Sequence, residues 1–249
     1  MTRRPELPAP CRLVEFDTLG STNAEARRLA GDQARAWTIV WARQQTAGRG
    51  RRGSAWVSPP GNLYASVILR PDCDVATAAQ LGFVTALALA DAIDAATGIA
   101  AALKWPNDLL VGGGKVSGIL VESAGKPSGA VDWVVIGTGV NIVSHPADVP
   151  GATDLAAHGA TLDAAALLER YMEALTAWVD RWREEGFAPV RSAWIARATG
   201  IGDDVRVRLA GREEQGTFGD LDETGALVLV QGAQRRLITS GDVFPAERA

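Results

Sequence analysis

The sequence is poor in the residues that build disulfide frameworks and metal centres. It has two cysteines, Cys11 and Cys73, and two histidines, with no C-x-x-C pair and no Cys/His cluster at ligand spacing. Such a set can neither cross-link a chain of this length nor indicate a structural metal site. We therefore expect free thiols in a reducing cytoplasm.

The chain also lacks excess positive charge and long apolar segments. Its net charge is −4, whereas proteins with bulk affinity for nucleic acids or membranes are basic. The most apolar helical stretch, residues 81–90, covers about ten residues, and a bilayer span needs about 20. Arg3 and Arg4 are not followed by the apolar region of a signal peptide. We expect a soluble cytoplasmic protein with no DNA or membrane partner.

One basic loop stands out against this acidic background. Residues 45–53 read Gln-Thr-Ala-Gly-Arg-Gly-Arg-Arg-Gly, and Trp56 follows closely. We call residues 48–53 the arginine loop. Glycines let the backbone approach a ligand, and arginines offer permanently charged, planar donors that match phosphate and carboxylate oxygens. The loop is therefore predicted to close over an anion.

Three common interpretations of such a loop fit poorly. The arginine loop matches G-x-G-x-x-G, but no helix can begin at Gly53, where a dinucleotide fingerprint needs one. Residues 113–115, Gly-Gly-Lys, lack the first glycine and the Ser/Thr of a Walker A loop. An RNA-binding segment is disfavoured because the chain is acidic and the loop has no stacking aromatics.

Three further motifs carry polar or charged groups that could serve a site, although each also has a purely structural explanation. Residues 21–23, Ser-Thr-Asn, precede a helix that we expect to end near Ala30, and Thr22 with Glu25 fits a capping box. Residues 104–108, Lys-Trp-Pro-Asn-Asp, place a lysine and a carboxylate around a proline turn, which could simply be anchored by its tryptophan. Lys115 follows a glycine turn and could be a surface lysine.

Hydrophobic patterning predicts an α+β fold with a central mixed sheet flanked by helices. Predicted strands cover residues 13–16, 37–42, 62–69, 101–103, 109–111, 115–122 and 131–143, and predicted helices cover 77–96, 162–185 and 188–197. After residue 200 short alternating strands and Gly-rich turns dominate, at 205–209, 227–230 and 236–238. We predict a domain of residues 1–199 and a small β domain of residues 200–249.

Taken together and in order, five motifs resemble those of biotin–protein ligases. They are Ser21-Thr-Asn23, Gln45 to Trp56, Lys104 to Asp108, Lys115 to Glu122, and Gly137-Thr-Gly-Val-Asn141, and they cover about residues 12–145. The resemblance implies the class II synthetase-like biotin/lipoate ligase fold with a C-terminal SH3-like β-barrel. Because the first motif begins at Ser21, the resemblance is to the short class without an N-terminal DNA-binding domain.

What the resemblance implies is a two-step, ATP-dependent acyl transfer. Biotin is activated to biotinyl-5′-AMP with MgATP, and the acyl group then passes to a lysine of the biotin carboxyl carrier domain of an acyl-CoA carboxylase. The alternative is a lipoate or octanoate ligase or transferase of the same fold, but those relatives generally lack the arginine loop. From another class, a non-catalytic nucleotide- or RNA-binding module would bind without consuming ATP.

Motif matching also implies the site residues. The expected catalytic residues are Lys104, Arg51 and Lys115. The expected biotin-binding residues are Ser21, Thr22, Asn23, Gln45, Gly48, Arg49, Gly50, Arg51, Lys115 and Gly118. The expected ATP-binding residues are Arg52, Trp56, Lys104, Asn107 and Asn141, with Asp108 as a Mg²⁺ ligand. One departure stands out, since Ser54 occupies a position where the family commonly has another arginine.

Overall fold

A seven-stranded mixed sheet organises most of the chain in the computed structural model, which describes residues 3–246. Its order is β1-β2-β3-β7-β6-β5-β4, with only β1 and β2 parallel among these described strands. The strands are β1 Arg12–Leu19, β2 Thr38–Gln45, β3 Leu63–Leu69, β4 Ala102–Lys104, β5 Asp108–Val111, β6 Gly114–Gly125 and β7 Val131–Val140. The predicted mixed sheet is confirmed.

Helix α1 (Thr22–Gly31) covers one face of this sheet. Its buried alanines, Ala26 and Ala30, pack on Val40, Ile68 and Val135. Alanine has no side chain beyond Cβ, so the helix lies close to the strands. Neighbouring residues of a strand point to opposite faces of the sheet. Every second residue of β3 therefore faces α1, and the residues between them face the larger core on the other side.

The other face carries the larger core. It packs against α2 (Val75–Ala78), α3 (Leu81–Thr97), α4 (Ala164–Glu185) and α5 (Phe187–Ala196). Helix α3 is apolar nearly all round because it lies between the sheet and α4. On α4 the apolar positions recur at three- and four-residue spacing, so one side is buried and the other carries charges.

The expectation that the apolar helical stretch is too short to cross a membrane was wrong in its length. Within the described residues, Val75–Thr97 spans 23 residues and contains an 18-residue window with a mean hydropathy of 1.5, which passes that test of length and composition. However, 67% of its most apolar window is buried inside the protein. The burial is that of a core helix, and the sheet on one side together with α4 on the other accounts for its composition.

The C-terminal part forms a separate five-stranded antiparallel sheet in the described chain, with order β11-β10-β9-β8-β12. Its strands are β8 Asp204–Arg208, β9 Glu213–Leu221, β10 Leu227–Gln231, β11 Gln234–Ile238 and β12 Asp242–Pro245. We call it the C-terminal sheet. Strands β9 and β12 were not predicted, because acidic residues and glycines interrupt the first and a proline ends the second.

Candidate active site

A cleft of about 670 Å³ opens on the α1 side of the central sheet. This volume lies in the range of small-molecule sites. Segments distant in sequence meet there: the start of α1, the end of β2, the arginine loop, the β5–β6 hairpin and β7. The C-terminal sheet contributes Asp242. The lining includes Ser21, Thr22, Asn23, Gln45, Arg49, Gly50, Arg51, Arg52, Trp56, Asn107, Asp108, Lys115, Gly118 and Asn141.

The start of α1 forms one wall of the cleft. Ser21 is the N-cap of the helix, since its backbone is extended and its side chain accepts from the Ala24 N–H at 3.4 Å. The capping box predicted at Thr22 and Glu25 is therefore wrong by one residue. Because Ser21 caps the helix, the hydroxyl of Thr22 is available for contacts across the wall.

Gln45 ties this wall to the segment that follows the arginine loop. Its Oε1 accepts from the backbone N–H of Thr22 at 2.8 Å, and its Nε2 donates to Ser58 Oγ at 2.9 Å. Ser58 in turn donates to the carbonyl of Trp56 at 2.9 Å. The amide orientation of Gln45 is thus fixed by a donor on one side and an acceptor on the other.

The arginine loop is closed by a short 3-10 turn, Arg51–Gly53. Gly50 N donates to Ser54 O at 2.7 Å, and Ser54 Oγ donates to Arg51 O at 2.9 Å. Arg52 takes a left-handed conformation with φ of 53°, which is uncommon for residues other than glycine. Ser54 stands where the resemblance predicts another arginine. It closes the loop through its backbone carbonyl and its side-chain hydroxyl.

Two guanidinium groups of the loop face the C-terminal sheet. Arg51 Nη1 lies 3.0 Å from Asn107 Oδ1 and 3.5 Å from Asp242 Oδ1. Arg52 Nη1 lies 2.9 Å from Asp242 Oδ2. Burial lowers the pKa of the Arg51 guanidinium, yet an arginine remains charged at neutral pH. The cleft therefore holds permanent positive charge beside a single carboxylate of the second sheet.

Lys115 brings a further positive charge to the cleft. Its Nζ lies 2.6 Å from Asp108 Oδ1 and 5.6 Å from the ring centroid of Trp56, a distance suited to a cation–π contact. Asp108 and Gly118 are paired between β5 and β6. The hairpin thus delivers the ion pair to the cleft.

Glycines on β6 and β7 form the floor beneath Trp56. A Cβ at Gly139 would overlap the indole Nε1 of Trp56, and one at Gly118 would lie 3.1 Å from Cζ3 of the same ring. The indole can pack directly against the strands because both positions lack a side chain. Among the described residues, its buried N–H has no hydrogen-bond partner.

Two of the predicted site residues do not line the cleft. Lys104 lies outside the lining, and its Nζ is 5.4 Å from the ring centroid of Phe244 on β12. Gly48 lies at the base of the loop, where its carbonyl accepts from Trp56 N at 3.0 Å. Asn141 does line the cleft and donates to Thr153 O at 3.0 Å.

Comparison with known proteins identifies the family. The model of the biotin/lipoate A/B protein ligase family matches residues 16–141, and that of the biotin protein ligase C-terminal domain matches residues 200–244. The chain belongs to the biotin/lipoate A/B protein ligase family. The arginine loop, Lys115 and the wall at the start of α1 all lie within the first match.

Individual relatives place the chain among the biotin ligases of this family. It is 45% identical over 234 residues to the biotin–[acetyl-CoA-carboxylase] ligase of Paracoccus denitrificans, covering 90% of this chain and 96% of that protein. It is 35% identical to the bifunctional ligase/repressor BirA of Bacillus subtilis, covering 93% of this chain and 73% of that protein. The Aquifex aeolicus biotin protein ligase in complex with biotin and ATP superposes with a TM-score of 0.80 at 27% identity, covering 93% and 97% of the two chains.

Several residues of the ligase site were not predicted from the sequence. Ser58 and Ser66 support the wall from behind, and Asp242 reaches the cleft from the C-terminal sheet. A serine inside the apolar run of β3 is a visible signal for Ser66. Glu122 ends a motif that carried the resemblance but had no assigned role. Asp242 has no local signal, since it lies about 190 residues along the chain from the arginines that it contacts.

Proposed function

We propose that the cleft carries out ATP-dependent biotinylation of a carrier protein. In the first step a carboxylate oxygen of biotin attacks the α-phosphorus of ATP, and pyrophosphate leaves with the electron pair of the broken P–O bond. In the second step the neutral amine of an acceptor lysine attacks the acyl carbon of biotinyl-5′-AMP. The acyl C–O bond breaks, AMP leaves with its electron pair, and the nitrogen loses one proton to solvent as the amide forms. The observation that carries this proposal is the meeting of the arginine loop, Lys115 and the α1 wall in one cleft.

The wall at the start of α1 suits the ureido ring of biotin. Ser21, Thr22, Asn23 and Gln45 offer hydroxyl and amide groups on one side of the cleft. These side chains are held by neighbouring hydrogen bonds, so little ordering is needed when a ligand enters. Gly118 on β6 lies next to Trp56 and Lys115 and leaves space in the same cleft.

The opposite side suits the reacting anions. Joining a carboxylate to a phosphate brings two negative groups together, so positive charge must stabilise the transition state. Arg49, Arg51 and Lys115 supply that charge, and the glycines Gly48 and Gly50 let the loop follow the ligand. Arg52, Asn107, Asn141 and the ring of Trp56 are assigned to the nucleotide. A closed loop also protects the mixed anhydride from water.

Magnesium is assigned to the substrate MgATP. Asp108 is a carboxylate beside the cleft whose Oδ1 accepts no hydrogen bond from the described residues apart from its ion pair with Lys115. One carboxylate suits Mg²⁺ when nucleotide phosphates and water supply the other ligands. Asp108 therefore fits as a ligand that positions this ion. Lys104 is assigned a catalytic role next to the nucleotide, although its Nζ lies against Phe244 and outside the cleft lining in this structure.

The acceptor is assigned as the biotin carboxyl carrier domain of an acyl-CoA carboxylase, and the reaction is assigned to the cytoplasm. The first assignment is supported by the Paracoccus denitrificans relative, which is a biotin–[acetyl-CoA-carboxylase] ligase. The second is supported by the free thiols of Cys11 and Cys73, which suit a reducing compartment. We also assign residues 1–199 to the catalytic domain and residues 200–249 to the small C-terminal domain. The change from the central sheet to the C-terminal sheet supports this division.

The direct test is incubation of the protein with MgATP, biotin and a carrier domain, followed by mass measurement of the carrier. The expected result is a gain of one biotinyl group that requires ATP and the acceptor lysine. A parallel reaction with lipoate or octanoate tests the competing acyl groups. No gain with biotin would contradict the proposal, and a lipoyl or octanoyl gain in its place would assign the protein to the other branch of the family.

A further inference from the structure

A buried serine stands directly behind the wall that faces the cleft. Ser66 on β3 is 0% exposed and does not line the cleft. Its Oγ lies 2.6 Å from Asn23 Oδ1 and 2.8 Å from Thr22 Oγ1. Any effect of Ser66 on a ligand must therefore act through these two neighbours.

The amide of Asn23 has only one favourable orientation. Its Nδ2 donates to Glu122 Oε2 at 2.9 Å and to Leu120 O at 3.4 Å. Both are hydrogen-bond acceptors, because the first is a carboxylate, paired with Arg27 at 3.0 Å, and the second is a backbone carbonyl. A flipped amide would bring its oxygen against both of them. Glu122 therefore turns the amide oxygen of Asn23 toward Ser66.

Counting protons fixes the direction of the remaining bonds. Asn23 Oδ1 can only accept, so the single hydroxyl proton of Ser66 is donated to it. The contact between Ser66 and Thr22 then requires that Thr22 donates its own proton to Ser66. The Thr22 hydroxyl has a second acceptor, Gln45 Oε1, but this oxygen is farther away at 3.1 Å and already accepts from the backbone N–H of Thr22 at 2.8 Å. The shorter contact, 2.8 Å to Ser66 Oγ, therefore takes the proton. The hydroxyl oxygen of Thr22, a residue that lines the cleft, can then accept a hydrogen bond from a ligand but has no proton left to donate.

We propose that Ser66 is a positioning residue that, together with Glu122 and Asn23, makes Thr22 a hydrogen-bond acceptor for an N–H group of the ligand. The ureido ring of biotin carries two such N–H groups, whereas lipoyl and octanoyl chains carry none. We call the hydrogen-bonded series Glu122–Asn23–Ser66–Thr22 the relay. The relay thereby selects biotin over the other acyl groups that this fold can activate. This inference rests on the proposed function and names the residues behind its specificity.

The first test compares Ser66→Ala with Ser117→Ala. Ser117 is also 0% exposed and donates its hydroxyl to a backbone carbonyl, Gly139 O, at 2.8 Å, but it lies outside the relay and the cleft lining. Biotin binding is measured by calorimetry without nucleotide, and KM values for biotin and ATP are measured in adenylate formation. Ser66→Ala should weaken biotin binding about tenfold and leave KM for ATP unchanged. Ser117→Ala should change neither.

The second test uses Glu122→Gln, which retains the shape of the side chain but can donate as well as accept. The Asn23 amide is then free to flip, so biotin binding should weaken in this variant as well. Because both residues act through one relay, the double variant should lose no more than Ser66→Ala alone. The ratio of lipoate to biotin dissociation constants should also fall in Ser66→Ala.

Three results with the variants would overturn the relay, and a fourth comes from comparison with the unaltered protein. The first is an equal loss of biotin affinity in Ser66→Ala and Ser117→Ala, and the second is a matching rise in KM for ATP. The third is additive loss in the double variant. If the unaltered protein bound no biotin at all, the proposed function would fail together with the relay. If it bound biotin as tightly as Ser66→Ala does, only the relay would fail.

Discussion

Asp242 of the C-terminal sheet forms an ion pair with Arg52 of the arginine loop, with 2.9 Å between Oδ2 and Nη1. Its other oxygen lies 3.5 Å from Arg51. All three side chains keep partial contact with solvent, and such pairs contribute only about 0–1 kcal/mol. An entering carboxylate or phosphate can therefore compete for the arginines, while the pairs orient the loop before it arrives.

Removing the charge of Asp242 should weaken nucleotide binding modestly. In Asp242→Asn the arginines lose their common anchor, and KM for ATP should rise about two- to fivefold, with little change in Tm. Steady-state adenylate formation measures this. Asp220→Asn is a matched control, since it removes an ion pair between the same sheet and Arg191 of α5, and Asp220 does not line the cleft. A fall in KM for Asp242→Asn would mean that Asp242 competes with ATP instead of orienting the loop.

The arginine loop should control how long the intermediate is retained. Arg51→Gly removes a charge and adds backbone freedom at the 3-10 turn, so bound biotinyl-5′-AMP should be lost at least about tenfold faster. The measurement follows adenylate remaining on the protein after rapid removal of free ligands. Arg235→Gly, on the exposed strand β11, should retain it normally. Equal retention in both variants would refute a clamp at Arg51.

Adding a methyl group at Gly137, on the glycine floor of the cleft, should displace a residue of the α1 wall and weaken biotin binding. A Cβ at Gly137 would overlap Asn23 Oδ1, so Gly137→Ala must displace that side chain, at a cost of about 1–3 kcal/mol. We expect a rise of at least about tenfold in the biotin dissociation constant by calorimetry. Gly31→Ala is the control, because a Cβ there meets nothing within 4 Å. Unchanged binding in Gly137→Ala would contradict the placement of Asn23.

Lys115 should be needed for chemistry more than for binding. Lys115→Gln removes the positive charge next to the reacting anions, and the rate of adenylate formation should fall about 10²- to 10³-fold. Single-turnover release of pyrophosphate measures this rate. Lys126→Gln, at an exposed lysine beyond β6, should react normally. A loss confined to KM for biotin would assign Lys115 to binding alone.

Lys104 should have a smaller effect than Lys115, because its side chain lies against Phe244 outside the cleft lining. We expect Lys104→Gln to slow adenylate formation by about tenfold, and Phe244→Ala to change the rate by a comparable factor if the ring positions the lysine. The same pyrophosphate assay applies. An unchanged rate in Lys104→Gln would remove Lys104 from the catalytic residues.

Local patterns predicted most of the central fold because each of its elements carries its own signal. The β-branched runs of β2 and β3 and the spaced apolar residues of α4 are recognisable within a short window. Strands β9 and β12 were not predicted, because their own residues carry a weak strand pattern and pairing with the neighbouring strands holds them in the sheet. The N-cap was misplaced by one residue because Ser21 and Thr22 are both good capping residues.

The residues of the site divide in the same way, into those with a local signal in the sequence and those without one. The arginine loop, Lys115 and the wall residues stand in motifs, so the sequence alone indicates them. Contacts made across the fold do not show in a motif, and Asp242 and Ser66 reach the site only through the packing of distant strands. The contact between Lys104 and Phe244 likewise depends on how β12 packs near a residue that is distant in sequence.

Formation of biotinyl-5′-AMP in the absence of any acceptor tests the proposed chemistry most directly. The protein is incubated with biotin and MgATP, passed rapidly through a desalting column, denatured, and its bound small molecules are identified by mass spectrometry. We expect biotinyl-5′-AMP at up to one equivalent, with an equal amount of pyrophosphate released only when biotin is present. Recovery of unreacted biotin and ATP, or release of pyrophosphate without biotin, would contradict a biotin–protein ligase.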